Sequence, residues 1–111
     1  MNAEELRHKI KAIFGEQVLF NKEFDAYAQT IKNIDETLIP WCEQIRDQKI
    51  PAISNSRLGE TIVFIKKIGS SDRCIIIKIK NDGVKEVHLG DHKYYDFLRK
   101  KLGLKENSRM C

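Results

Sequence analysis

The stretch Ile68–Gly103, "IGSSDRCIIIKIKNDGVKEVHLGDHKYYDFLRKKLG", decides how the chain is read. Residues 73–80 and 84–89 are rich in β-branched side chains and alternate with period two, which predicts two strands. The polar runs 69–72 and 81–83 have hairpin length, and Thr61–Ile68 supplies a third strand before them, so an antiparallel meander is expected. Asp91 then stands as N-cap of a helix whose apolar stripe is Tyr94, Phe97, Leu98 and Leu102, with Gly103 as its stop.

Working outward toward the N-terminus, the period changes to 3.6. Asn2 and Glu5 have capping-box spacing ahead of Leu6, Ile10, Ile13 and Phe14, and Gly15 offers a left-handed end, so a first helix is predicted over residues 2–14. Residues 17–20 form a short apolar run compatible with a strand, and Asn21 is placed to cap a helix carrying Phe24, Tyr27, Ala28, Ile31 and Ile34 on one face. After the polar cluster 35–38, Pro40 suits the start of another helix bearing Trp41, Cys42 and Ile45 inward. Residues 22–48 therefore read as a helical hairpin or one kinked helix, and residues 49–57 as a loop. The expected class is α+β: a helical hairpin on one face of a small antiparallel sheet, with an extra N-terminal and a short C-terminal helix, all in one domain over residues 1–111.

Composition bounds the function. With 41% hydrophobic and 32% charged residues, the 111-residue chain has the make-up of a water-soluble globular protein. No run approaches the roughly 18 apolar residues of a membrane span, and charges at Glu4, Glu5, Arg7, Lys9 and Lys11 interrupt any signal-peptide core, so a cytoplasmic location is expected. Cys42, Cys74 and Cys111 are too widely spaced for a zinc motif and odd in number, and read as free thiols. Residues 1–60 hold 8 Lys/Arg against 10 Asp/Glu, a net −2, whereas residues 61–111 hold 12 against 6, a net +6. That asymmetry points to an anionic partner for the second half, nucleic acid first among them.

Pairing Ile68 with Arg73 and Lys80 with Val84 assigns each strand side chain to a face. Ile62, Phe64, Ile75, Ile77, Ile79, Val87 and Leu89 then form a core face for the helices. Val63, Ile65, Lys67, Cys74, Ile76, Lys78, Lys80, Glu86 and His88 form an outer face biased toward positive charge, suited to a polyanion. The same register turns Lys66 and Arg73 inward beside the 69–72 turn, where long side chains reach water past the sheet edge. A one-residue slip would exchange the faces.

The order short strand, helical pair, meander and closing helix resembles the RelE/ParE superfamily of toxins. "VLFNKEFDAYAQTIKNI" (Val18–Ile34) is similar to that family's opening strand and first long helix, and "SDRCIIIKIKNDGVKEVHLGDHKYYDFL" (Ser71–Leu98) to its arginine-led strand, hairpin, last strand and glycine-basic turn. The resemblance spans about residues 17–102 and leaves the first helix outside. It implies a toxin of a toxin–antitoxin pair that cleaves messenger RNA, often on the ribosome, by attack of the ribose 2′-hydroxyl on the adjacent phosphate. That route uses no metal or cofactor, and a cognate antitoxin would be the protein partner.

Carried over, the strand arginine corresponds to Arg73, the basic residues of the preceding strand to Lys66 and Lys67, the basic residue after the glycine to His92, and the C-terminal tyrosine to Tyr94 or Tyr95. Asp91 stands between Gly90 and His92, and the tyrosines come early. Because Tyr94 shares the stripe of Leu98, Tyr95 is expected to be the exposed one. The catalytic set is then Arg73, His92 and Tyr95, with Lys66, Lys67, Lys78 and Lys80 binding RNA. Val63, Ile65 and Ile76 are expected as exposed anchors for the antitoxin. Arg99, Lys100 and Lys101 read as a solvated helix end. A catalytically silent RNA- or protein-binding module on the same fold, including a ParE-like gyrase inhibitor, shares these features.

Overall fold

The computed structural model describes residues 2–50, 54–55, 61–69, 71–80 and 82–102. Along the chain run α1 (Ala3–Phe14), β1 (Leu19–Phe20), α2 (Phe24–Thr30), α3 (Ile34–Arg46), β2 (Ser54–Asn55), β3 (Thr61–Ile68), β4 (Asp72–Ile79), β5 (Val84–Asp91) and α4 (His92–Leu102). The architecture is α+β. The expected stop at Gly103, and Cys111, lie outside the described residues.

α1 begins as its capping spacing requires: the Asn2 side chain accepts a hydrogen bond from the Glu5 N–H at 2.8 Å. Leu6 and Ile10 are buried, and an ion pair between Arg7 and Asp25 ties the helix to α2. Asn21 does not cap α2. Its side-chain amide instead accepts from the Leu89 N–H at 2.9 Å and donates to the Leu89 carbonyl at 2.8 Å, prolonging by side chain the parallel ladder that β1 makes with β5. α3 starts at Ile34, after Asn33 takes a left-handed conformation (φ 56°), so Pro40 lies inside the helix rather than at its head. The helix runs through it because Ile34, Leu38, Trp41, Cys42 and Ile45 are buried along one stripe.

The sheet has five strands in the order β1-β5-β4-β3-β2, mixed rather than antiparallel because β1 is parallel to β5. β2, read from sequence as loop, pairs antiparallel with the start of β3. The hairpin closes on Ile68↔Asp72, not Ile68↔Arg73. That one-residue difference exchanges the faces of β4. Cys74 and Ile76 pack with Phe64, Ile68, Val87 and Leu89 against α1, α2 and α3. Ile75 and Ile77 face the other way with Val63 and Ile65, under Tyr95 and Leu98 of α4. The second face is thus covered, not open: Val63, Ile65 and Ile76 are all buried and expose no anchor. Of the expected apolar stripe on α4, Leu98 is buried whereas Phe97 is 61% exposed.

α4 begins where Asp91 Oδ1 accepts from the Tyr94 N–H at 2.8 Å, as the sequence predicts, and then folds back over β5. Gly90 makes this return possible, since a Cβ there would lie 2.5 Å from the Tyr94 ring. Gly83 has no such neighbour; the nearest atom to a Cβ there is a Gln17 side-chain atom at 3.6 Å. Gly90→Ala is therefore expected to lower stability by about 1–3 kcal/mol, and Gly83→Ala by less than about 0.5 kcal/mol. Urea denaturation of the two variants checks the contrast; equal costs would mean that α4 does not press on Gly90.

Candidate active site

On the α4 side of the sheet, alternation presents Lys67 from β3, Arg73 from β4, and Glu86 and His88 from β5. α4 adds Tyr94 from its first turn. His88 is buried, with Nε2 2.8 Å from Glu86 Oε1 and Nδ1 2.7 Å from Tyr94 Oη. A carboxylate only accepts, so Nε2 carries the hydrogen and donates to Glu86, leaving Nδ1 to accept from the Tyr94 hydroxyl.

Electrostatics keep this chain of bonds neutral at its centre. Burial pushes the His88 imidazole below its ordinary value, and the hydrogen bond and charge of Glu86 offset this only in part; Lys101 lowers it further. Tyr94 is raised, chiefly by burial and then by the charge of Glu23, against a lowering hydrogen bond from Asn21. Both shifts favour the neutral pair, with the proton on the phenol and the imidazole uncharged, and Glu86 is the partner placed to stabilise an imidazolium. Carboxylate, imidazole and hydroxyl stand in series, the arrangement of an acid–base relay.

The expected site residues distribute unevenly around this relay. Arg73 is only 4% exposed; its Nη1 donates to the carbonyls of Ser71 (3.1 Å) and Asp72 (3.4 Å), and its buried Nε has no partner among the described residues. Lys67, its cross-strand neighbour, is exposed on the same face. Gly90, on the other side of Arg73, lies beneath Tyr94. His92 does not join: it is exposed and its Nε2 lies 3.3 Å from Asp96 Oδ2 along the helix.

The two tyrosines exchange roles. Tyr95 is 3% exposed and belongs to the apolar layer with Leu98, whereas Tyr94 is the half-buried member of the relay. Nor do the lysines form one surface. Lys66 lies opposite Cys74 and Lys78 opposite Ile62, both on the face of α1–α3, and Lys80 is exposed in the turn after β4. The single cationic face expected from the sequence is therefore replaced by separate charges, of which only Lys67 and Arg73 accompany the relay.

Sequence reasoning placed Glu86 and His88 on the correct face but assigned them no role. Of the two candidate tyrosines it preferred Tyr95 to Tyr94, because a helical stripe says which residues pack together, not that Gly90 lets the first turn lie flat on β5. Among the described residues no cluster of three or more His, Cys, Asp or Glu side chains is placed to hold a metal, and Cys74 and His88 point to opposite faces. No helix among them is long and apolar enough to cross a membrane. No family model, characterised protein or solved structure matches the chain.

A neutral buried imidazole has a consequence for stability. The folded value lies below the unfolded one near 6.5, so below that pH the unfolded state binds more protons and stability falls as pH drops through the folded value. Urea denaturation between about pH 7.5 and about pH 5.5 should show a steeper loss for the wild type than for His88→Gln. Identical slopes would show that His88 titrates as a solvated histidine.

Proposed function

We propose that the chain is a RelE-like endoribonuclease, the toxin of a toxin–antitoxin pair, acting on messenger RNA by a route that needs no metal ion. The relay Tyr94–His88–Glu86 is the observation that carries this reading. Tyr94 Oη takes the proton of the ribose 2′-hydroxyl as its own proton passes to His88 Nδ1, and Glu86 stabilises the imidazolium. The 2′-oxygen forms its bond to phosphorus, the bond from phosphorus to the 5′-oxygen breaks, that oxygen takes a proton from water, and the hydroxide so formed takes back the imidazolium proton and restores neutral His88. The products are a 2′,3′-cyclic phosphate and a 5′-hydroxyl.

Lys67, an exposed cation on the same face of the sheet as the relay, neutralises the phosphate, and Arg73 braces the turn next to it through the Ser71 and Asp72 carbonyls. Support comes also from the order of elements, in which a short first strand joins the last strand and a helical pair lies between them. The burial of Arg73 favours a second reading, an RNA- or protein-binding module or a ParE-like gyrase inhibitor, because it takes the expected catalytic arginine away from the phosphate.

The two readings separate on end analysis of a defined RNA incubated with the protein, with and without ribosomes. Cleavage leaving cyclic phosphate ends, reduced about 100-fold or more by Tyr94→Phe and by His88→Gln and less than about twofold by Lys80→Ala, is the expected result. Salt-sensitive RNA binding without cleavage would establish the binding module instead. Cleavage unaffected by Tyr94→Phe would remove the relay from the mechanism.

A further inference from the structure

The register that removes Lys78 from an RNA-binding surface gives it a different setting. Lys78 faces the helix layer opposite Ile62, at the point where the β4–β5 pairing shifts by one residue. Bulges of this kind re-aim side chains and recur beside functional sites. Here the helices end before the sheet does. The close of α1 (Ile13, Phe14) and of α3 (Ile45) stands over Ile62, Phe64 and Val84, enclosing a cavity of about 580 Å³ whose lining includes Lys78 and Arg46. That volume is in the range of small-molecule sites.

Apolar side chains of the main core form one part of the lining and polar groups, among them Gln48 and Asp82, the other; Ile13, Phe14 and Ile62 are only partly buried there, so apolar surface is left facing the cavity. The charges around it are mostly spent. Arg46 Nε is 3.0 Å from Asp47 Oδ1, and Asp82 Oδ2 is 3.0 Å from Lys85 Nζ. Lys78 is the exception. It makes no ion pair among the described residues: its Nζ donates to the Ile79 carbonyl at 3.3 Å, and the Asp82 carboxylate feels its charge but is paired with Lys85. A half-buried ammonium against an apolar wall favours an anion whose own body is apolar.

We infer that this cavity is a binding site for a small amphipathic carboxylate, its alkyl or aryl body on Ile13, Phe14, Ile45, Ile62 and Phe64 and its carboxylate on Lys78. The site lies on the opposite face of the sheet from the relay, and the inference does not depend on ribonuclease activity. Val84, at the head of β5, closes the floor.

Decanoate, with 1-decanol as the uncharged probe of the same body, tests this by calorimetric titration of the full chain. Saturable one-site binding of decanoate is expected, about tenfold tighter than decanol, as one charge-assisted contact would give. Lys78→Met should bring the two probes to equal affinity, and Lys78→Arg should restore the difference. Emission from Trp41, one helical turn before Ile45 in α3 and the only tryptophan, should respond to both probes and reports that each variant is folded. No saturable binding of decanoate by the wild type, or an unchanged preference for decanoate in folded Lys78→Met, overturns the inference.

Discussion

Side chains alternate strictly along a strand, so the closing pair Ile68↔Asp72 commits every residue of β4 to one of two layers. Cys74, Ile76 and Lys78 go to the layer of α1–α3, and Arg73, Ile75 and Ile77 go beneath α4. All the functional geometry inherits this choice. It sets Arg73 between Lys67 and Gly90, puts His88 beside Ile75 on the face that α4 covers, and turns Lys78 toward the cavity. A hairpin closed one residue later would bury Lys78 under α4 and exchange Ile75 and Ile77 for Cys74 and Ile76 on the face of the relay.

The elements whose signals are local were legible in the sequence. The Asn2 cap, the three long strands and the Asp91 cap depend on neighbours within a few residues, and each is found where its pattern puts it. Register was not legible, for a physical reason. Residues 74–77 are buried on both faces of the central strand, so both candidate registers bury the same number of apolar groups and hydrophobicity does not choose between them. The choice falls to the turn, where Gly69 takes φ +67° and three residues, not four, make the connection.

The same limit explains the tyrosines and Asn21. A stripe on a helical wheel identifies Tyr94 and Leu98 as neighbours, but α4 rotates so that Tyr95 and Leu98 cover Ile75 and Ile77 while Tyr94 turns toward β5. That rotation is fixed by Gly90, a contact between residues four apart across the end of a strand. Asn21 carries the composition of a helix cap, yet a parallel strand of two residues leaves the Leu89 backbone groups without a strand partner on that side, and the amide side chain supplies both bonds. Burial of those groups outweighs a cap on an exposed helix end. The half of the candidate site visible in sequence was therefore its face, through Glu86 and His88, and the half that was not was its third member.

The bulge in β5 shows the two faces of the sheet being served by one irregularity. Continuing the pairing Ile77↔Glu86 without interruption would set Lys85 opposite Lys78, two ammonium groups side by side under the helix layer. Val84 would then turn to the other face of the sheet, opposite Ile79. Skipping Lys85 brings Val84 opposite Lys78 and into the core, and lets Lys85 pair with Asp82 at the surface. Beyond the irregularity Glu86 and His88 keep the α4 side, so their hydrogen bond survives the correction made for the other face. One inserted residue thus spares a like-charge contact, fills the core with a valine and leaves Lys78 at the cavity without an ion pair among the described residues, which is why relay and cavity arise on opposite faces of the same pair of strands.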